Sequence, residues 1–278
     1  MRRLCKYIYD ILIGYIKNIL FYIKKRNYIF APVFIIGCGR SGTTILGNTI
    51  SKHPKVKYLN ERRDLWHKSY PEFDVWNKKI QDSKLYADEK DFIFKKHNLL
   101  YSFFFREQVL GNAKVLLEKL PINSFRLKFL EKSFPNARYI YLTRNGLEVS
   151  ASIEKSTQKG NWFRSHDLLK SYNIEDGDQH KGMWEWKLSI DESDHFFRKI
   201  NRNRFIHLSY KDFMDSPSEI IKGVFSFLEL DYSVDWVNQI SKDIKRKNIE
   251  IQAVSDKNLY LIGGDILNQT INNSYTPL

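Results

Sequence analysis

The stretch from Val33 to Ser51, VFIIGCGRSGTTILGNTIS, constrains the fold of this chain more than any other. It begins with a continuous apolar run, which is typical of a strand buried on both faces of a parallel sheet. Three glycines follow between Gly37 and Gly42, and apolar residues return at helical spacing from Ile45. We therefore expect a strand, a sharp turn and a helix N-terminus, where free amides and the helix dipole bind an anion such as phosphate or sulfate.

Three kinds of anion-binding loop fit these residues. The glycine spacing matches a nucleoside-triphosphate loop, but Thr43 stands where that loop carries its lysine, so its main charge is missing. The same glycines match a dinucleotide-binding fingerprint, in which Glu61, roughly 20 residues further on, would bind a ribose. A metal-free oxyanion site uses more of the loop, because Arg40 supplies a guanidinium and Ser41, Thr43 and Thr44 supply hydroxyls.

The net charge of the chain points to anionic partners. Its 278 residues suffice for one large α/β domain, and its formal charge is +13. The basic residues are spread along the whole sequence, which does not favour a nucleic-acid groove, and the seven histidines lack the spacing of metal ligands. Since Cys5 and Cys38 are the two cysteines, we expect no disulfide framework and a reducing, cytoplasmic compartment.

Residues 1–26 predict an amphipathic helix. Lys6, Asp10 and Lys17 interrupt its apolar residues, so it lacks the run of roughly 18 uncharged residues that a spanning helix needs. These charges fall near one side of the helix, and basic residues flank it at both ends. The helix either lies on the inner face of a membrane as a peripheral anchor or packs on the protein's own core.

Charged residues follow three of the later predicted strands closely. These later strands are expected at Lys57–Leu59, Val115–Glu118, Arg138–Thr143 and Phe205–Leu208. Glu61, Lys119 and Arg144 come after the first three, and parallel sheets carry their chemistry at the carboxyl ends of strands. Ser152 lies eight positions after Arg144, so two helical turns can bring its hydroxyl and the guanidinium to a second anion.

Helices are expected on both faces of this sheet, in one doubly wound domain over residues 27–278. Residues 66–112 are aromatic and charged without a clean period, which predicts a helical insertion over the active face. Asn123 is predicted to cap a helix that runs to Phe134. In the tail, we interpret the charge run at residues 245–247 as a solvated face.

The glycine loop and its surroundings closely resemble those of sulfotransferases that use 3′-phosphoadenosine-5′-phosphosulfate (PAPS). The sequence GCGRSGTT, followed by His53-Pro54 and Glu61-Arg62-Arg63, resembles the 5′-phosphosulfate loop of the tyrosylprotein and bacterial carbohydrate branches. The resemblance continues in a Lys-x-Pro-x-Asn pattern that begins at Lys119. It spans about residues 33–230 and implies a P-loop-like, three-layer α/β fold.

The resemblance also implies roles for individual residues. Arg144 and Ser152 resemble the family's site for the 3′-phosphate. Glu61 is then the base for the acceptor hydroxyl, with His53 as a reserve, and Lys119 would neutralise charge on the leaving oxygen. The loop residues implied to hold the 5′-phosphosulfate, with Arg40 also acting in catalysis, are Gly39, Arg40, Ser41, Gly42, Thr43 and Thr44.

The acceptor is not fixed by these motifs. We expect a hydroxyl of a saccharide or glycolipid, recognised by the aromatic insertion and by residues 162–164, with a tyrosyl peptide as the alternative. Two other classes remain open at this point. They are a nicotinamide-dependent oxidoreductase, which the dinucleotide fingerprint allows, and a non-enzymatic basic protein that binds membrane surfaces.

Overall fold

A computed structural model describes residues 28–77, 79–80, 82–158 and 181–244, together with residues 12, 16, 19–21 and 23–25 near the N-terminus. Most of the predicted helix at residues 1–26 lies outside these described residues. The acceptor residues predicted at 162–164 and the charge run at 245–247 also lie outside them.

A parallel sheet forms the centre of the described structure. Its five strands have the order β2-β3-β1-β4-β5, and every neighbouring pair is parallel. The strands are β1 Val33–Ile36, β2 Val56–Asn60, β3 Val115–Lys119, β4 Arg138–Thr143 and β5 Phe205–Ser209. The apolar run at Val33 is thus the middle strand, and each strand predicted from the sequence is present.

Nine α-helices are described. They are α1 Thr43–Ile50, α2 Arg63–Ser69, α3 Phe94–Leu110, α4 Leu127–Ser133, α5 Gly146–Gln158, α6 Lys181–Phe197, α7 Tyr210–Asp215, α8 Pro217–Phe227 and α9 Val234–Ser241. Short 3₁₀ turns lie at Pro71–Phe73, Glu89–Asp91, Pro121–Phe125 and Arg202–Arg204.

The side chains of β1 alternate between two apolar cores. Val33 and Ile35 belong to one core, which they share with α1, α7, α8 and α9. Phe34 and Ile36 belong to the other, which contains residues of α2 to α6. Successive side chains of a strand point to opposite faces, so the sheet separates two helix layers. The predicted three-layer α/β architecture is confirmed.

The helical segment within residues 66–112 is part of one of these layers. Leu100, Phe104 and Val109 of α3 are fully buried, and α2 packs beside α3. The irregular chain between the two helices is held by Arg126, whose buried guanidinium donates to backbone carbonyls. The accepting carbonyls are those of Phe73, Lys84 and Leu85.

The prediction that Asn123 caps a helix is wrong. Asn123 lies inside the 3₁₀ turn Pro121–Phe125, and α4 begins later, with Arg126 at its N-cap position. The Asn123 amide instead donates from Nδ2 to Glu118 Oε2 at 2.7 Å. The buried carboxyl group of Glu118 gives this amide a hydrogen-bond partner in a place that water does not reach.

Candidate active site

Every predicted site residue except Ser152 and the reserve base His53 lies at or just beyond the carboxyl edge of the sheet. Glu61 follows β2, Lys119 ends β3, the glycine loop follows β1 and Arg144 follows β4. Because of the strand order, these positions follow one another in that order along the edge. Three strand spacings separate β2 from β4, roughly 14 Å, which is long enough for an extended nucleotide donor.

The glycine loop makes its turn with two backbone positions of positive φ. Arg40 has φ 70° and Gly42 has φ 95°. A Cβ on Gly42 would also lie 2.6 Å from the Tyr210 ring, and a Cβ on Gly37 would lie 2.5 Å from the carbonyl oxygen of Leu142. These two glycines are therefore required by the close approach of β4 and α7 to the loop.

The start of α1 offers free hydrogen-bond donors to an anion. Gly42 is the N-cap residue, and no side chain of the described residues caps the helix. Ser41 is 1% exposed, and its hydroxyl has no hydrogen-bond partner within the described part of the chain. Uncapped amides and an unsatisfied buried hydroxyl are the groups that an anion at a helix N-terminus satisfies.

The two anion sites predicted from the sequence lie side by side. Arg40 Nε donates to Ser152 Oγ at 3.0 Å, and Arg144 donates from Nη1 to the Arg40 carbonyl oxygen at 3.1 Å. Arg144 is also held by an ion pair of 2.7 Å with Glu148 and by stacking on Tyr210, 4.0 Å from the ring centre. The structure thus brings Arg40, Arg144 and Ser152 into one cluster at the β1 and β4 ends.

Glu61 and Lys119 are in direct contact. Lys119 Nζ lies 2.5 Å from Glu61 Oε1, and the Glu61 amide donates to the Lys119 carbonyl oxygen at 2.9 Å. The lysine side chain is 1% exposed, whereas that of the glutamate is 42% exposed. Glu61 has φ 50°, an uncommon backbone conformation for a glutamate. The pair therefore places a reachable carboxylate against a buried ammonium.

Glu118 is a buried carboxylate that we did not identify in the sequence. Its oxygens accept from Trp66 Nε1 at 3.0 Å and from Asn123 Nδ2 at 2.7 Å. Complete burial raises the pKa of Glu118 to about 8, against the opposing effects of the two donors and of Lys119 and Arg126. An acidic residue within the apolar stretch VLLEK is unusual and could have drawn attention to Glu118. The sequence does not show, however, that Trp66 and Asn123 bind it.

An open trough of about 610 Å³ adjoins Glu61. Arg63 lies over the Trp76 ring at 4.9 Å and forms part of its wall. The rest of the lining is polar and comes from Asp64, His67, Asp74 and Asn77. A molecule in this trough would meet the exposed side of the Glu61 carboxylate.

His53 lies far from this cluster. It follows the C-terminal end of α1, is 5% exposed, and binds the Asp231 carbonyl oxygen through Nε2 at 2.9 Å. Its Nδ1 accepts from the Lys55 amide at 3.1 Å. Both ring nitrogens therefore hold backbone at the amino edge of the sheet, which does not suit the reserve base considered above.

Comparison with known proteins decides the family. A family profile described as "Sulfotransferase family" matches residues 32–234. The chain belongs to the sulfotransferase family. The family predicted from the glycine loop is thereby confirmed, and the match covers every strand and all the predicted site residues.

This sulfotransferase is similar to named members of the family. It is 23% identical over 233 residues to protein-tyrosine sulfotransferase A of Caenorhabditis elegans, covering 78% of this chain and 56% of that protein. It is 22% identical over 204 residues to protein-tyrosine sulfotransferase 2 of Gallus gallus, covering 72% and 52%. The chain thus spans about half the length of these curated relatives.

A solved sulfotransferase structure has the same fold. The sulfotransferase domain from the curacin biosynthetic pathway matches with a TM-score of 0.55 at 16% identity, covering 86% of this chain and 98% of that one. At this identity the match concerns the fold, and it agrees with the parallel sheet between two helix layers.

Proposed function

We propose that this sulfotransferase moves the sulfuryl group of PAPS to a hydroxyl group of an acceptor. The observation that carries the proposal is the 2.5 Å contact between Glu61 and Lys119 at the edge that also holds the glycine loop. A carboxylate in reach of an acceptor and a buried cation in reach of a leaving group are the two groups that such a transfer needs.

The donor would lie along the carboxyl edge of the sheet. The uncapped N-terminus of α1 and the unpartnered Ser41 hydroxyl suit the 5′-phosphosulfate, together with Gly39, Thr43 and Thr44 of the loop. The guanidinium of Arg144 and the hydroxyl of Ser152 suit the 3′-phosphate. The 3.0 Å bond between Arg40 and Ser152 supports a position of Arg40 between these two ends.

In the proposed transfer, Glu61 takes the proton of the acceptor hydroxyl while the acceptor oxygen forms its bond to sulfur. The bond between sulfur and the bridging oxygen of the 5′-phosphate breaks, and its electron pair stays on that oxygen. The Lys119 ammonium and the Arg40 guanidinium offset this charge. The products are a sulfate ester and 3′-phosphoadenosine 5′-phosphate, with the proton on Glu61.

Calorimetric titration with 3′-phosphoadenosine 5′-phosphate and with NAD tests the donor. We expect saturable binding of the first ligand and none of the second. Binding of NAD alone would favour the oxidoreductase that the dinucleotide fingerprint allows. Binding of neither ligand would favour a non-enzymatic surface-binding protein.

We further propose that the acceptor is a saccharide or glycolipid hydroxyl. The open trough beside Glu61 supports this, because carboxylates, an amide and an imidazole line it, and such groups bind several hydroxyls at once. The named relatives are protein-tyrosine sulfotransferases, so a tyrosyl peptide is the second candidate. Transfer of labelled sulfate from PAPS to a panel of oligosaccharides and tyrosine peptides separates the two.

A membrane surface is the proposed location of the acceptor reaction. Leu12, Ile16, Ile19 and Ile23 are 46–68% exposed, at spacings that place them on one side of a helix. Phe21 packs instead on Phe105 of α3, with ring centres 5.7 Å apart. Among the described residues, no helix combines the length and apolar character needed to cross a bilayer. We propose that this apolar side lies in the headgroup region of the membrane surface.

Sedimentation with vesicles of anionic lipid tests this location. Replacing Ile16 and Ile23 with aspartate should abolish co-sedimentation while binding of 3′-phosphoadenosine 5′-phosphate persists. As a matched control, aspartate at Val234, an exposed apolar residue at the start of α9, should leave co-sedimentation unchanged. Equal sedimentation of all three proteins would contradict the proposal.

A further inference from the structure

Glu118 connects the two segments that carry Glu61 and Lys119. It precedes Lys119 on β3, and strand alternation turns its side chain to the opposite face of the sheet. One of its donors, Trp66, lies on α2, five positions after Glu61. The other, Asn123, lies in the 3₁₀ turn four positions after Lys119. A single carboxylate therefore ties both segments together behind the site.

Arg62, at the N-cap position of α2, pairs with Asp64 and with Glu107 of α3, and Trp66 bonds the helix to β3. No side chain within the described residues caps this helix, and the backbone before it has φ 50° at Glu61. β2 and β3 pair in register as far as Asn60 and Lys119. Beyond that pair, at the front of the site, the segments meet through the Glu61 amide and through the ion pair with Lys119. The ion pair is itself half exposed on the Glu61 side, so water weakens it. The buried bond from Trp66 to Glu118 is not weakened in this way.

Burying Glu118 is costly, and neutral residues provide its hydrogen bonds. Trp66 and Asn123 are uncharged, and the cations near Glu118 are Lys119 and Arg126. Tyr58 also lies close enough for its phenol to interact electrostatically with Glu118. Apolar residues of similar size in place of Glu118 and both of its donors would fill the core at lower cost. A stability role alone therefore does not account for a carboxylate at this position.

We propose that Glu118 is a positioning residue, which sets the separation of Glu61 from Lys119 by binding Trp66 and Asn123 with its two oxygens. The role of Glu61 and Lys119 in sulfuryl transfer rests on the proposed function. The hydrogen bonds from Trp66 and Asn123 to Glu118 are a property of the structure, and their effect is measurable without substrate.

Trp66→Phe is the first test, because it removes one donor and keeps most of the buried ring. We expect release of sulfate from PAPS, with water as the acceptor, to fall roughly tenfold to a hundredfold, while the affinity for 3′-phosphoadenosine 5′-phosphate stays unchanged. Trp236→Phe is the matched control, since Trp236 packs on Phe225 at the other edge of the sheet. A folded Trp66→Phe protein with the wild-type rate would overturn the proposal.

A double mutant distinguishes an effect on the position of Glu61 from a general disruption of the fold. If Glu118 and Trp66 act through Glu61, then Trp66→Phe should change the rate by less than about twofold when Glu61 is already glutamine. If Trp66→Phe lowers the rate by the same factor in the wild type and in the Glu61→Gln protein, the bond between Trp66 and Glu118 has only a structural role. This comparison uses ratios of rates and does not require the natural acceptor.

Substitutions at Glu118 supply a rescue experiment. Glu118→Leu removes both ties and should lower the rate as Trp66→Phe does. Glu118→Gln should restore it, because its amide can donate to Asn123 Oδ1, which has no partner among the described residues, while its oxygen still accepts from Trp66. Equal rates for the Leu and Gln variants would contradict the proposal.

Amide hydrogen exchange gives a readout that does not depend on the proposed function. The Glu61 amide is bonded to the Lys119 carbonyl and reports whether the two segments stay together. In Trp66→Phe and Glu118→Leu its exchange should quicken, and in Trp236→Phe it should not. Unchanged exchange in the first two variants would overturn the inference, whereas absence of PAPS turnover in the wild type would count against the proposed function alone.

Discussion

At the scale of single residues, the site contrasts one exposed carboxylate with one buried one. Glu61 reaches the open trough, whereas Glu118 lies behind the same edge of the sheet at 1% exposure. The first was predicted from its place after a strand. The second was not predicted, because its role depends on hydrogen bonds from Trp66 and Asn123. These residues meet Glu118 only in the folded core, and their positions in the sequence give no sign of the contact.

Replacing Glu61 with glutamine tests its proposed role as the base. We expect turnover to fall about 10²- to 10⁴-fold, because an amide cannot accept the proton of the acceptor hydroxyl. Affinity for 3′-phosphoadenosine 5′-phosphate, measured by calorimetry, should stay close to that of the wild type. Glu219→Gln on the exposed side of α8 is the control and should keep full turnover. Near-normal turnover of the Glu61 variant would exclude the role.

The raised pKa of Glu118 predicts a pH dependence of stability. Its folded-state pKa is about 8, against an ordinary value of 4.5, so between these values the folded protein keeps a proton that the unfolded chain releases. Stability should therefore fall as pH rises from about 4.5 to 8, by up to about 1.4 kcal/mol per pH unit from this group. Urea unfolding at several pH values should show this slope in the wild type and its loss in Glu118→Gln. Parallel slopes for the two proteins would contradict the assignment.

At the scale of elements, the loop between β1 and α1 was the part best predicted from sequence. A buried strand, three glycines and a helical period are local signals, and they located the turn and the helix start. The turn after β3 was predicted less well, since the Asn123 amide binds Glu118 instead of a helix end. Local patterns thus fixed each strand, whereas contacts between elements decided how Asn123 is used.

Gly42→Ala should damage this loop. Its φ of 95° disfavours any side chain, and the new Cβ would lie 2.6 Å from the Tyr210 ring. We expect loss of stability by about 1 kcal/mol or more and at least tenfold weaker binding of 3′-phosphoadenosine 5′-phosphate, read by thermal melting and calorimetry. Gly223→Ala is the matched control, because a Cβ there meets nothing within 4 Å inside α8. That variant should be unchanged or slightly more stable.

At the scale of the whole molecule, the sequence predicted the three layers but not how the chain between α2 and α3 is held. This depends on Arg126, which is fully buried and lies 4.6 Å from the centre of the Phe73 ring. Surface arginines are common, so nothing local marks this one as internal. Its carbonyl partners are 41 to 53 positions away in the chain.

Arg126→Ala should destabilise the whole protein by about 3 to 5 kcal/mol. The substitution leaves buried carbonyls without donors and opens a cavity beside Phe73. Urea unfolding measures the loss. Lys222→Ala, which removes a surface ion pair with Glu219 on α8, should cost no more than about 1 kcal/mol. A similar loss in both variants would show that Arg126 does not hold the segment.

The strand order has a consequence for how the protein is made. Of the described strands, the middle strand β1 is synthesised first, and its two sheet neighbours, β3 and β4, come much later. From Ile36 to Val115 is a distance of 79 positions, so synthesis at roughly 5–20 residues per second leaves β1 unpaired for several seconds. During that time the run VFII has both hydrogen-bonding edges open. Slow assembly from distant segments leaves the nascent chain prone to aggregation. We therefore expect the protein to need chaperones while it is being synthesised.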